Sequence, residues 1–142
     1  MPLHYPHPRP PSAGTLLEIV PGVFWVRMPL PFQLDHINLW LLRDRNEAGR
    51  EAWAIVDCGI ANDPTRAAWE QVFATELQGL PVLRVIVTHM HPDHIGLAHW
   101  LTERWGVRLW VSATDFNAAR LASHSTTGFG GESAAAFMAS HG

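Results

Sequence analysis

Four side chains within six residues have the chemistry to hold metal ions. They are His89, His91, Asp93 and His94, in the run Thr88-His89-Met90-His91-Pro92-Asp93-His94-Ile95-Gly96. The run follows Val85-Ile86-Val87, a β-branched segment that reads as a buried strand. Side chains alternate along extended backbone, so His89 and His91 fall on one side and two imidazoles can grip one cation. Pro92 turns the chain and suits the start of a helix, which brings Asp93 and His94 beside the first pair. A nitrogen pair and an oxygen–nitrogen pair suit Zn²⁺, Fe²⁺ or Mn²⁺. Two such ions ~3.5–4 Å apart can share a bridging hydroxide, and each lowers the pKa of its water toward ~7. The chemistry on offer is hydrolysis at neutral pH. The bland alternative is a helix start with surface histidines and Asp93 as its cap. It requires three histidines and an aspartate to gather directly after a buried strand by accident.

Such a loop needs a scaffold, and the flanking patterns describe one. Leu17 to Val20 and Val23 to Met28 read as strands divided by the turn pair Pro21-Gly22. Asn38 to Leu42, Ala52 to Asp57, Val82 to Thr88 and Arg108 to Val111 read as further strands. A helix starts at Asp63-Pro64, with Asp63 accepting from the first-turn N–H groups. Ala68, Trp69, Val72, Phe73 and Leu77 form its apolar face, and Gly79 and Pro81 stop it. A second helix spans Asp93 to Trp105, with Leu97, Leu101 and Trp105 on one face and Gly106 beyond its end. A third spans Ala113 to Ser123, capped by Ser112 with Asp115 three residues on, and a fourth starts near Glu132. All seven tryptophans sit in apolar segments and read as core. Strands first and strand–helix alternation afterwards predict an α/β fold with a mixed sheet and flanking helices.

Composition narrows the partners. With 47% hydrophobic and 16% charged residues the chain can build a core, and 142 residues suffice for one domain. A net charge of −3 points to neither nucleic acid nor an anionic membrane. The lone Cys58 forms no intramolecular disulfide, which fits a reducing compartment. No apolar run approaches the ~20 residues of a membrane span, and the N-terminus lacks the apolar centre of a signal peptide, so a cytoplasmic protein is expected. Residues 1–15 read as a flexible Pro-rich tail, with His4 and His7 as tail histidines rather than ligands, and 16–142 as one domain.

The run His89 to His94 matches the H-x-H-x-D-H motif of the metallo-β-lactamase-fold hydrolases, flanking Thr88 and Gly96 included. It resembles the glyoxalase II and lactonase-type branches, which carry both pairs. Ala54-Ile55-Val56-Asp57-Cys58-Gly59 is similar to that family's V-D-[TS]-G strand end, with Cys58 in place of the small hydroxyl residue. Asn38-Leu39-Trp40-Leu41-Leu42 more loosely resembles its N-x-Y-L-L strand. The resemblance covers Leu16 to Val111. It implies the N-terminal half of an αβ/βα sandwich and a metal-dependent hydrolase acting on a small ester, thioester or lactone. It puts His89 and His91 on a first zinc, and Asp93 and His94 on a second, with iron or manganese as substitutes. Asp93 would also orient the attacking water. Asp57, with Thr88 beside the ligands, would lie beneath the site and accept from a ligand imidazole or a backbone N–H. His36, just before the Asn38 strand, is a candidate to line the pocket.

The same resemblance requires further ligands: a third histidine for the first metal, a bridging aspartate and another histidine for the second. His99, five residues after His94, points elsewhere around a helix, His124 ends a helix, and His141 has no strand to hold it. The expectation is a chain truncated at its C-terminus, with one sheet face left open to self-association. The alternative to an active enzyme is then an inactive fragment with at most weak metal binding.

Overall fold

Alternating apolar and polar residues drive the first third of the chain into an antiparallel meander. In this computed structural model, which describes residues 3, 5–124 and 131–140, its strands are β1 (Leu16–Val20), β2 (Val23–Pro29), β3 (His36–Arg45) and β4 (Glu51–Val56). Gly22 turns β1 into β2 at φ 81°, a conformation glycine adopts without steric cost. The remaining elements are α1 (Asp63–Thr75), β5 (Val82–Ile86), α2 (Pro92–Ile95), α3 (Ala98–Trp105), β6 (Leu109–Trp110), α4 (Ala113–Ala122) and α5 (Gly131–Ser140).

Among the described residues the strands form one six-stranded mixed sheet in sequence order. Pairing is antiparallel from β1 to β4, with Trp40 opposite Val56. It becomes parallel from β4 through β6, with Ile55 opposite Val85. The α/β class and the mixed sheet are therefore as expected. Two parallel crossovers bring the C-terminal ends of β4, β5 and β6 side by side, the place where open α/β sheets bind ligands. The antiparallel pairing puts the β2–β3 hairpin tip at that same end.

One sheet face carries the core. Val26, Met28, Leu39, Leu41, Trp53, Ile55 and Val85 meet Ala68, Trp69 and Val72 of α1 and Leu101 of α3. Burying each large apolar side chain stabilises by ~1.5–3 kcal/mol. Two tryptophans lock to backbone carbonyls: Trp53 Nε1 donates to Leu77 O (3.1 Å) and Trp69 Nε1 to Cys58 O (2.8 Å). The opposite face is more polar and open. There Trp25 Nε1 donates to Asn38 Oδ1 (2.8 Å), with Arg27 above the indole.

Several local expectations need correction. The α1 cap is Asn62, whose side chain accepts from Thr65 N–H, so Asp63 lies one position inside the helix. The expected helix from Asp93 to Trp105 is two helices with Gly96-Leu97 between them. Trp110 is 54% exposed rather than core, because β6 is an edge strand and turns this residue to the face opposite the helices. Within the proline-rich segment Pro11 and Gly14 are buried, Gly14 against the Gln71 side chain of α1. His4 and His141 lie outside the described residues. Among the described residues no helix is long and apolar enough to cross a membrane.

Candidate metal centre

β4 and β5 end together, and the ends are tied by one carboxylate. Asp57 follows β4 at φ 64°, a left-handed conformation that aspartate tolerates better than most residues. Its N–H donates to Ile86 O (2.8 Å), which prolongs the parallel ladder by one bond. The turn aims its buried side chain across to the end of β5. Thr88 N–H donates to Oδ1 (2.8 Å), and the Thr88 hydroxyl lies 3.0 Å from Oδ1 and 2.8 Å from Oδ2. His94 Nδ1 lies 2.9 Å from Oδ2.

These bonds decide proton positions on two imidazoles. His94 Nδ1 donates to the carboxylate, which leaves Nε2 with its lone pair exposed to the site. The Thr88 hydroxyl has one proton, and it goes to Asp57. The hydroxyl therefore accepts from Nδ1–H of His89, 3.0 Å away, and His89 Nε2 is likewise left with a lone pair. One buried carboxylate thus orients His94 directly and His89 through a threonine.

The loop is then folded tightly. His91 takes the N-cap position of α2 without making a side-chain capping bond, which leaves its ring to other partners. His94 and Ile95 N–H both donate to His91 O (2.9 Å each), and Cys58 N–H donates to His94 O (2.7 Å). Gly96 permits this packing. A Cβ there would lie 2.8 Å from Gly59 O, 2.7 Å from Ala61 N and closer still to Pro92 O. Cys58 is wholly buried, and burial pushes its thiol far above the ordinary range, so it is no nucleophile or ligand in this state.

The result is a cluster of three imidazoles. His89 Nε2 and His91 Nδ1 are 3.1 Å apart, and the His89 and His94 ring centroids are 3.9 Å apart. Asp93 Oδ2 lies 3.7 Å from His94 Nε2. Two nitrogens on one tetrahedral zinc, with bonds of ~2.0–2.1 Å, stand ~3.3 Å apart. The His89–His91 pair matches that separation, with a ring-to-ring hydrogen bond where a cation would sit. Donor type and spacing thus fit a two-nitrogen half-site. Among the described residues no group of three or more His, Cys, Asp or Glu is arranged to hold a metal ion, so a complete ligand set is not assembled. His36 stands apart from this cluster in its bonding. Its Nδ1 pairs with Asp35 (2.6 Å), and that bond holds the Asp35 carboxyl below its usual range. His99 is exposed beside Glu103.

Asp115 has a larger role than its place beside the Ser112 cap implies. Asp115 carries the expected Ser112 cap, its N–H donating to Ser112 Oγ (3.0 Å). Its Oδ1 also accepts from Met90 N–H (3.1 Å), inside the histidine loop. The Ser112 hydroxyl bonded to it holds the Asp115 carboxyl below its usual range against the cost of desolvation, and Met90 N–H and His89 act in the same direction. The capping spacing was legible, but nothing in the local sequence connects Asp115 to a loop 25 residues earlier.

Comparison with known proteins adds an independent line. The sequence pattern described as the Metallo-beta-lactamase superfamily matches residues 33–129. A beta-lactamase domain protein from Burkholderia ambifaria is 51% identical with a TM-score of 0.83, over 97% of this chain and 40% of that one. A metallo-beta-lactamase family protein from Thermus thermophilus is 26% identical with a TM-score of 0.65, over 88% of this chain and 40% of that one. The metallo-beta-lactamase FIM-1 from Pseudomonas aeruginosa, solved in a mono-zinc form, shares the fold at 20% identity and a TM-score of 0.53, over 75% of this chain and 45% of that one. The chain thus spans about two fifths of the length of the first two. Among curated proteins none matches.

Proposed function

The chain belongs to the metallo-beta-lactamase superfamily, and on that premise we propose that it carries half of the metal site of a hydrolase acting on a small ester, thioester or lactone. The observation that carries this reading is the His89–His91 pair, 3.1 Å apart at the carboxyl ends of the parallel strands. His89 Nε2 and His91 Nδ1 hold a first zinc, and Asp93 and His94 Nε2 contribute to a second, with iron or manganese as substitutes. A metal bound there supplies Lewis-acid polarisation of the scissile carbonyl and a water nucleophile at neutral pH. The chain's own residues do the rest. Asp93, partly exposed at the mouth of the loop, orients the water and accepts its proton on the carboxylate. Asp57 keeps the protons of His89 and His94 on the side away from the substrate. The hairpin tip, with Phe32 60% and Leu34 63% exposed at the same end of the sheet, offers an apolar surface to a substrate's acyl or alkyl group. His36, at the base of that hairpin, lines the approach. A cytoplasmic setting belongs to the same proposal, supported by the buried unpaired Cys58.

A second reading is favoured by the incomplete ligand set among the described residues. On it, this chain alone binds metal weakly and turns over no substrate, and its open sheet face, with Trp110 exposed, mediates self-association. Metal analysis and a panel of thioester, lactone and aryl ester substrates separate the two readings. The enzyme reading expects zinc-dependent hydrolysis that is lost on chelation and in Asp93→Asn. Turnover that survives both would sink it. Zinc uptake that is unchanged in the His89→Ala, His91→Ala double variant would sink the ligand assignment.

A further inference from the structure

Beyond Ile86 the histidine loop leaves the sheet, and two carboxylates take over its N–H groups. Val87 N–H makes the last ladder bond, to Trp110 O (2.8 Å). Thr88 N–H then goes to Asp57 and Met90 N–H to Asp115. The Asp115 side chain is itself fixed, one oxygen on the Ser112 hydroxyl and the other on Met90. A capping residue at this position ordinarily serves only its own helix. Here the second oxygen is aimed out of α4 at the residue between His89 and His91. Rotation about the Met90 backbone changes the separation of those two imidazoles directly. We infer that Asp115 is a positioning residue for the His89–His91 pair, holding the intervening backbone so that the two rings stay at the separation one cation requires. The inference rests on the reading of those histidines as metal ligands.

The test compares the full chain with Asp115→Ala, Asp115→Asn and Ser112→Ala. Amide exchange at Met90 is followed by NMR without metal, and zinc and cobalt affinity by competition with a chromophoric chelator. Asp115→Ala is expected to speed Met90 exchange at least about tenfold and to weaken metal binding about tenfold, the usual effect of losing a group that orients ligands. Asp115→Asn keeps an acceptor for Met90 and should stay within about twofold of wild type on both. Ser112→Ala lowers the melting temperature through the lost cap but leaves Met90 protected. If Asp115→Ala does not fold, Asp115→Ser, too short to reach Met90, serves in its place. Unchanged exchange and affinity in the truncated variants, or equal damage in Asp115→Asn, would overturn the inference. A wild-type chain that binds no metal would defeat the proposed function instead, while Met90 exchange still decides whether Asp115 holds the loop.

Discussion

Replacing Asp57 separates what this carboxylate does for folding from what it does for the histidines. In Asp57→Ala three donors lose their acceptor: Thr88 N–H, the Thr88 hydroxyl and His94 Nδ1–H. A fully buried orphan costs ~1–3 kcal/mol, but Thr88 and His94 are partly reached by water, so the low end of that range applies to each. Alanine at φ 64° adds about 1 kcal/mol of backbone cost. The expected loss is about 3–4 kcal/mol, a large share of the ~5–15 kcal/mol typical of a domain. Asp57→Gly removes the same acceptor without the backbone cost and should recover about 1 kcal/mol of it.

Asp57→Asn is the decisive variant. Asparagine tolerates the left-handed backbone and its Oδ1 can still take Thr88 N–H, so stability should fall by only about 1 kcal/mol. Its Nδ2 can only donate. Facing His94 Nδ1, it moves the imidazole proton to Nε2, the atom that the proposed function assigns to a metal. Zinc affinity should then drop at least about tenfold while the fold survives. Urea unfolding with unchanged slope gives the stabilities, and ¹⁵N shifts of His94 report which ring nitrogen is protonated. If Asp57→Asn leaves the His94 proton on Nδ1 and zinc affinity intact, the tautomer reasoning is wrong. If Asp57→Ala costs less than about 1 kcal/mol, the bonding of this carboxylate is not a stabilising feature.

Three further outcomes follow from the same geometry. Gly96→Ala should cost about 3 kcal/mol or more, because the new methyl meets fixed backbone at Gly59 and Ala61, whereas Gly79→Ala, with nothing within 4 Å, should cost only the ~1 kcal/mol of its left-handed backbone; equal losses by chemical denaturation would contradict this. The Cys58 thiol should resist a disulfide reagent at pH 8 until the chain unfolds, and, because the unfolded chain can release a proton near the ordinary value of 9.0 that the folded chain retains, stability should decline as pH rises above that value; fast modification of the native chain would refute both. If the hairpin tip meets substrate, Phe32→Ser with Leu34→Ser should raise KM for an apolar ester several-fold with little change in kcat, and an unchanged KM would remove the hairpin from the site.

What was legible in the chain was local. The histidine run, the strand before it and the Asp57-Cys58-Gly59 strand end each carry their meaning in a few adjacent residues, and the structure brings these segments together at one end of a parallel pair. What was not legible depends on groups distant in sequence. The helix after Pro92 reads as continuous because no residue from Asp93 to Trp105 forbids it except Gly96. The break arises instead from contact with residues 59–61, where Leu97 N–H donates to Gly59 O (3.2 Å). Trp110 reads as core by type, and only its place on the edge strand exposes it. Asp115 reads only as the companion of the Ser112 cap because the capping box is a local, four-residue pattern, whereas its bond to Met90 requires β5, β6 and α4 to be placed first. The same reasoning bears on the ligand set. A motif can specify donors that share one loop, since the loop fixes their mutual geometry. Donors from other strands come into range only when the sheet is assembled. The His89–His91 pair is therefore the part of the proposed metal centre that a short sequence can build by itself. The carboxylates that hold it, Asp57 and Asp115, are the first contribution of the wider fold.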